Sequence, residues 1–132
     1  MTFEEFLAFR DVKIKNPGHE RIVRLFFPYL GSVSGDDRRL PNLIGRLLGS
    51  DLSSARAETG CFNGIPDGAE SPYPNVDLFM RFDNGVRVYV YGSASDRERR
   101  VLKANEYVLF VLRDDLCGGR IKREAGRHIW LI

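Results

Sequence analysis

Two alternating runs face each other across a turn signal near the middle of this chain. Val76-Asp77-Leu78-Phe79-Met80-Arg81-Phe82 is followed by Asp83-Asn84-Gly85 and then by Val86-Arg87-Val88-Tyr89-Val90-Tyr91. A period of two on both sides of an Asn-Gly step marks a β-hairpin. Its register follows from the faces each loop length would create. A two-residue loop sets Phe82 against Arg87 and Met80 against Tyr89, which mixes apolar and polar residues on both faces. A three-residue loop sets Phe82 against Val86, Met80 against Val88 and Leu78 against Val90. One face is then wholly apolar, and Gly85 takes the left-handed position such loops need. The spacing therefore predicts the three-residue loop, with Asp77, Phe79, Arg81, Arg87, Tyr89 and Tyr91 on the other face.

That second face is the first candidate binding surface. The rings of Phe79, Tyr89 and Tyr91 suit base stacking, and the guanidiniums of Arg81 and Arg87 suit phosphates. The competing reading packs the first helices over this face, so that the rings are core and the arginines reach its rim.

The flanking sequence supplies the layers. Thr2 and Glu5 fit a capping box for a short helix ending near Arg10, with Phe3, Phe6 and Leu7 on one side. Asp11 to Lys15 reads as a short extended piece. Asn16-Pro17 fits an N-cap and first helical residue. Ile22, Leu25, Phe26, Tyr29 and Leu30 then recur at helical spacing, with Pro28 expected to end or kink the helix. Glu20 sits in the first turn, where the helix dipole favours an acid, and His19 reads as a hydrogen-bonded structural residue. Pro41 opens a short helix with Ile44, Leu47 and Leu48 together, and Ser50 is placed to cap another through Glu58. From Gly60 to Asn75 the glycines and prolines predict a long loop, a candidate docking segment. Ser95 and Glu98 open a charged helix through about Asn105. Tyr107 to Leu112 is a continuous apolar run, expected at the centre of the sheet and covered on both sides. After Gly118-Gly119, residues 121–123 and 127–132 form a second hairpin whose last strand presents His128 or Trp130 on one side. That exposed terminal strand allows a homodimer.

These elements predict a single α/β or α+β domain over residues 1–132, with helices on a mixed sheet of three to five strands around the central hairpin. With 43% hydrophobic and 29% charged residues, the composition is that of a water-soluble globular domain, and no apolar run approaches a membrane span. The opening MTFEEFLAFR carries acids where a secretory leader carries bases, which points to the cytoplasm. Cys61 and Cys117 have no metal-binding spacing; they could form one disulfide, but free buried thiols are the expected state. A net charge of +2 is too small to announce a nucleic-acid binder by itself. The densest local excess is C-terminal, where Arg120, Lys122, Arg123 and Arg127 face only Glu124, and these four join the candidate binding residues.

No phosphate-binding glycine loop, paired-histidine metal motif or nucleophile elbow occurs in the sequence. The element order nevertheless resembles the core of the restriction-endonuclease-like PD-(D/E)xK superfamily. A helix carries the acid Glu20, a strand opens with Pro74-Asn75-Val76-Asp77, and a hairpin, a second strand, a helix and a buried strand follow. The resemblance implies that Asp77 and Glu20 occupy the family's catalytic acid positions. It also implies phosphodiester cleavage through a divalent metal held jointly with an acid and a lysine on the second strand. Here that strand carries Tyr89, Val90, Tyr91, Gly92 and Ser93, without that pair. The expectation is therefore a non-catalytic domain that binds a macromolecule, with no cofactor and no membrane, most simply a degenerate nuclease-like binder of nucleic acid. One alternative is a protein-interaction module such as an inhibitor, immunity-type or viral accessory protein, docking through the 60–75 loop or the terminal strand. Another is a magnesium- or manganese-dependent phosphodiester hydrolase built from Asp77, Asp114 and Asp115.

Overall fold

The computed structural model describes residues 2–30, 39–48, 57–62, 76–92, 104–114, 122–123 and 129–131. Helices α1 (Phe3–Phe9), α2 (Pro17–Leu30) and α3 (Arg39–Leu48) precede strands β1 (Ala57–Cys61), β2 (Leu78–Phe82) and β3 (Arg87–Tyr91), then β4 (Glu106–Phe110), β5 (Lys122–Arg123) and β6 (Ile129–Leu131). The strands make one mixed sheet in the order β1-β2-β3-β4-β6-β5. Among the described residues it holds six strands rather than the expected three to five. The class, helices packed on a mixed sheet around a central hairpin, is the one expected.

The hairpin has the register that the face argument selects. Leu78 pairs with Val90 and Met80 with Val88. The Phe82 amide donates to the Val86 carbonyl at 2.9 Å, and the Gly85 amide donates to the Phe82 carbonyl at 3.0 Å. Gly85 has φ +89°, the left-handed position that closes a three-residue loop. The Asn105 side chain donates to the Gly85 carbonyl at 2.8 Å and ties the start of β4 to the turn.

Pairing fixes the strand directions. β1 and β2 run antiparallel, as do β2 and β3, while β4 is parallel to both β3 and β6. Strands β1, β3, β4 and β6 therefore all end on one edge of the sheet, where β2 begins. β4 sits inside the sheet with Val108, Leu109, Phe110 and Val111 fully buried, as a continuous apolar run requires.

Alternation divides the core into two layers. Leu78, Met80, Phe82, Val88, Val90, Leu109 and Val111 face the helices and meet Phe6, Ile22, Phe26 and Ile44. Val76, Phe79, Tyr89, Tyr91, Val108 and Phe110 form a separate cluster on the opposite face. Helix caps also follow the sequence. The Thr2 hydroxyl accepts from the Glu5 amide, and the Glu5 carboxylate accepts from the Thr2 amide. Asn16 caps α2 by accepting from the His19 amide at 2.8 Å.

Several expectations are corrected. Glu58 lies in β1, not in a helix, and Gly60 and Cys61 belong to the same strand rather than to a loop. Pairing with β2 holds these residues extended, while Ser50 and residues 51–56 lie outside the described residues. α2 runs past Pro28 to Leu30, because a proline so near the end removes only one late hydrogen bond. Asp11 turns left-handed at φ +51° instead of extending. The terminal strand β6 is not an edge, since β4 pairs on one side of it and β5 on the other. It offers no free strand for a homodimer. The Ser95 helix, most of the 60–75 segment, Cys117, Arg120, Arg127 and His128 lie outside the described residues.

Candidate functional site

The aromatic and arginine face of the hairpin is closed. Phe79 is 0% exposed, Tyr89 2% and Tyr91 5%, so no ring is available to stack on a base. Phe79 packs on Tyr89 with ring centroids 5.4 Å apart, and Tyr91 on Phe110 at 5.7 Å. The competing reading holds in that the rings are core and the arginines lie at its rim, but its cover is corrected, because the first three helices pack on the other face. Arg81 and Arg87 are cross-strand partners, half-buried at the rim of this cluster. Tyr89 donates to the buried Glu106 carboxylate at 2.9 Å, and Glu106 sits opposite Arg87 on β4. Burial, and then the Glu106 carboxylate, hold the Tyr89 hydroxyl well above its ordinary range, while Arg87 opposes them. The cluster is a polar patch at the rim of a buried layer, with Tyr89 kept neutral as a donor to Glu106.

The open chemistry lies on the edge where β1, β3 and β4 end and β2 begins. The first turns of α2 cross this edge, anchored by His19. Its Nε2 lies 2.6 Å from the Phe62 carbonyl oxygen, which can only accept, and its Nδ1 accepts from the Lys15 amide at 3.1 Å. The ring is thus the Nε2–H tautomer, joining α2 to the end of β1 in the structural role expected of it. Lys15 reaches the Val76 carbonyl at 3.4 Å.

Arg21 is the centre of the edge. Its Nη2 donates to the carbonyls of Gly92 at 2.8 Å and Val111 at 2.6 Å, and its Nη1 donates to Arg113 at 3.0 Å. One guanidinium therefore ties α2 to the ends of two neighbouring parallel strands. Asp77 heads β2 and accepts from the Gly92 amide at 2.8 Å. Gly92 has no room for a side chain, since a Cβ there would lie 3.0 Å from the Gly18 carbonyl oxygen. A glycine is what lets the first turn of α2 lie directly against the end of β3.

Beside Arg21 a cleft of about 460 Å³ is lined by Pro17, Glu20, Arg21, Arg24, Leu25 and Asp114. Glu20 pairs with Arg24 at 3.1 Å, and Arg24 also lies over the Phe3 ring at 4.0 Å from its centroid. Asp114 faces Arg21 at 3.6 Å with 85% of its side chain exposed. Large apolar side chains at this edge are also open to solvent, Leu112 at 49% and Ile14 at 38%.

Of the residues named from sequence, Glu20, Asp77 and Asp114 come to this edge. Glu20 and Asp77 do not act as a pair, because Glu20 is turned to Arg24 and Asp77 to Gly92. No three His, Cys, Asp or Glu side chains converge on a possible metal position among the described residues, and Asp115 lies outside them. Lys122 and Arg123 lie in β5, the outermost strand of the sheet on the side away from β1, and do not line the cleft. Arg21, Arg24 and Gly92 carry the edge without a sequence signal. An arginine on the polar side of an amphipathic helix looks the same whether it meets solvent or three carbonyls.

Compared with known proteins, the chain matches no family model, no curated sequence and no solved structure. No helix among the described residues is long and apolar enough to cross a membrane.

Proposed function

We propose that the chain is a non-catalytic cytoplasmic binding domain that docks a protein partner on the edge where β3 and β4 end. One observation carries this reading. The cleft there combines apolar walls from Pro17 and Leu25 with two cations and two acids, and Leu112 stands exposed beside it. A polypeptide presents apolar groups and both signs of charge, as this surface does, whereas a row of phosphates would meet Glu20 and Asp114 as repulsion. The burial of Phe79, Tyr89 and Tyr91 supports the same choice, because it removes the stacking platform that single-stranded nucleic acid would use.

A degenerate nuclease-like binder of nucleic acid is the second reading. It is favoured by the strand arrangement, an antiparallel β1-β2-β3 meander followed by a parallel β4, with Asp77 at the head of β2. Exposed Lys13, Lys15 and Arg113 would then supply the phosphate contacts.

Proximity crosslinking in cells separates the two. Under the protein reading, the wild-type chain crosslinks a defined protein that Leu112→Asp and Arg24→Glu lose and that Asp83→Lys, at the opposite edge, retains. If all three variants crosslink alike, the edge is not the docking surface. If instead labelled single strands bind with an affinity that falls steeply between about 50 and 200 mM salt, nucleic acid is the partner.

A further inference from the structure

We propose that the Asn84-Gly85 step of the hairpin turn is a self-modification site, where ring closure on the Asn84 side chain yields aspartate or isoaspartate, and that the native turn holds this reaction back until it opens. The groups it requires are in place. Asp83, Asn84 and Gly85 are exposed, so water reaches the loop. Gly85 has no side chain to crowd its own amide nitrogen, and a Cβ there would meet nothing within 4 Å. The Asn84 Oδ1 accepts from the Val86 amide at 3.2 Å, closing an Asx turn around the Gly85 nitrogen and drawing electrons from the side-chain carbonyl carbon. Hydroxide takes the Gly85 amide proton, and the nitrogen attacks that carbon. The new C–N bond forms as the bond to the side-chain nitrogen breaks. That nitrogen leaves as ammonia with a proton from water, which returns the hydroxide. Water then opens the succinimide ring at either carbonyl, leaving an aspartate or an isoaspartate at position 84.

The folded turn opposes the first step. The proton that must leave is the one Gly85 donates to the Phe82 carbonyl at 3.0 Å, in the bond that closes the loop. Gly85 is also fixed from its other side, because the Asn105 side chain donates to its carbonyl at 2.8 Å. Attack needs the Gly85 nitrogen to give up the first bond, and the second keeps the residue from pivoting toward Asn84. The reaction therefore runs from turns that have opened locally, and an exposed hairpin end is among the first parts of a fold to do so. Its isoaspartate product carries the main chain through the former side-chain methylene. The loop is then a backbone atom longer, and the Phe82-Val86 closure that sets the register of both faces is lost. An opened turn is thereby marked in one direction only.

The test incubates the full chain in mildly alkaline buffer, with and without guanidinium chloride, and follows position 84 by peptide mapping with mass spectrometry that separates aspartate from isoaspartate. Conversion is expected in both, slower in the folded chain by about ten-fold, the factor for two hydrogen bonds that must first break. Asn105→Ala removes one of them and should speed conversion of the folded chain by about three-fold. Asn105 is exposed, and its carbonyl still accepts from the Arg87 amide at 2.9 Å, so the variant keeps that strand contact. Matching thermal melts confirm that it folds, and the parent with and without denaturant gives the same answer without any variant. Chain purified with isoaspartate at position 84 should melt below Asn84→Asp, which changes the charge but not the backbone. No conversion in denaturant, or aspartate without isoaspartate, overturns the ring-closure site. Equal rates with and without denaturant, or an Asn105→Ala chain no faster than the parent, overturn the restraint by the turn.

Discussion

The two faces of the central sheet are built from the same strands and look opposite in sequence, yet both are buried. Leu78, Met80, Phe82, Val88 and Val90 make a uniform apolar layer under three helices. Phe79, Tyr89 and Tyr91 make a layer of rings whose border carries Arg81, Arg87 and Glu106. The first is held by shape and area alone. The second also needs its polar atoms matched, which is why the Tyr89 hydroxyl is aimed at Glu106. A face with hydroxyls and guanidiniums is thus no proof of an open surface. Its polar groups can be the ones that make burial tolerable.

The comparison breaks most directly with a pair of truncations. Phe82→Ala on the helix side and Phe79→Ala on the ring side are each expected to destabilise by about 3–5 kcal/mol, read from urea unfolding. A Phe79→Ala loss below about 1 kcal/mol would mean the ring face is open in solution, contrary to its burial.

Tyr89→Phe tests the polar half of that face. It removes the hydroxyl but not the ring, leaves the buried Glu106 carboxylate without this donor, and should destabilise by about 1–3 kcal/mol at neutral pH. The pH dependence sharpens the result. Because the folded hydroxyl is held above its ordinary range, its contribution is fully present below the unfolded tyrosine value of about 10 and is lost as the pH rises beyond it. Unfolding measured on either side of pH of about 10 should therefore show a steeper alkaline loss in the parent than in Tyr89→Phe.

Gly85→Ala touches the turn that both faces share. A Cβ there meets nothing within 4 Å, so only the left-handed backbone resists it. The expected loss is about 1–2 kcal/mol with no change in either core, visible as a lower melting temperature and an unaltered near-UV spectrum. Glu20→Gln is the smallest. Its ion pair with Arg24 is solvent-exposed, and the expected effect on stability is below about 0.5 kcal/mol. A larger loss would give Glu20 a role beyond that surface pair.

Local rules account for the parts of the fold that were legible. The loop length, the Gly85 position, the Thr2 and Asn16 caps and the internal place of β4 all depend on neighbours within a few residues or on simple alternation. β1 was not legible, because Ala57-Glu58-Thr59-Gly60-Cys61 has weak strand character and becomes a strand by pairing with β2. The candidate site was less legible still. Glu20, Asp77 and Asp114 could be named, but Arg21 acquires its role from carbonyls 71 to 92 residues away along the chain.

Sequence alone determined which residues share a face of the hairpin, since alternation and turn chemistry act over a handful of bonds. Only the tertiary structure decided that the ring face is closed, that the last strand is interior, and that the open chemistry sits where β3 and β4 end. Burial and edge position depend on what packs from elsewhere in the chain, and no periodicity within a segment encodes what will cover it.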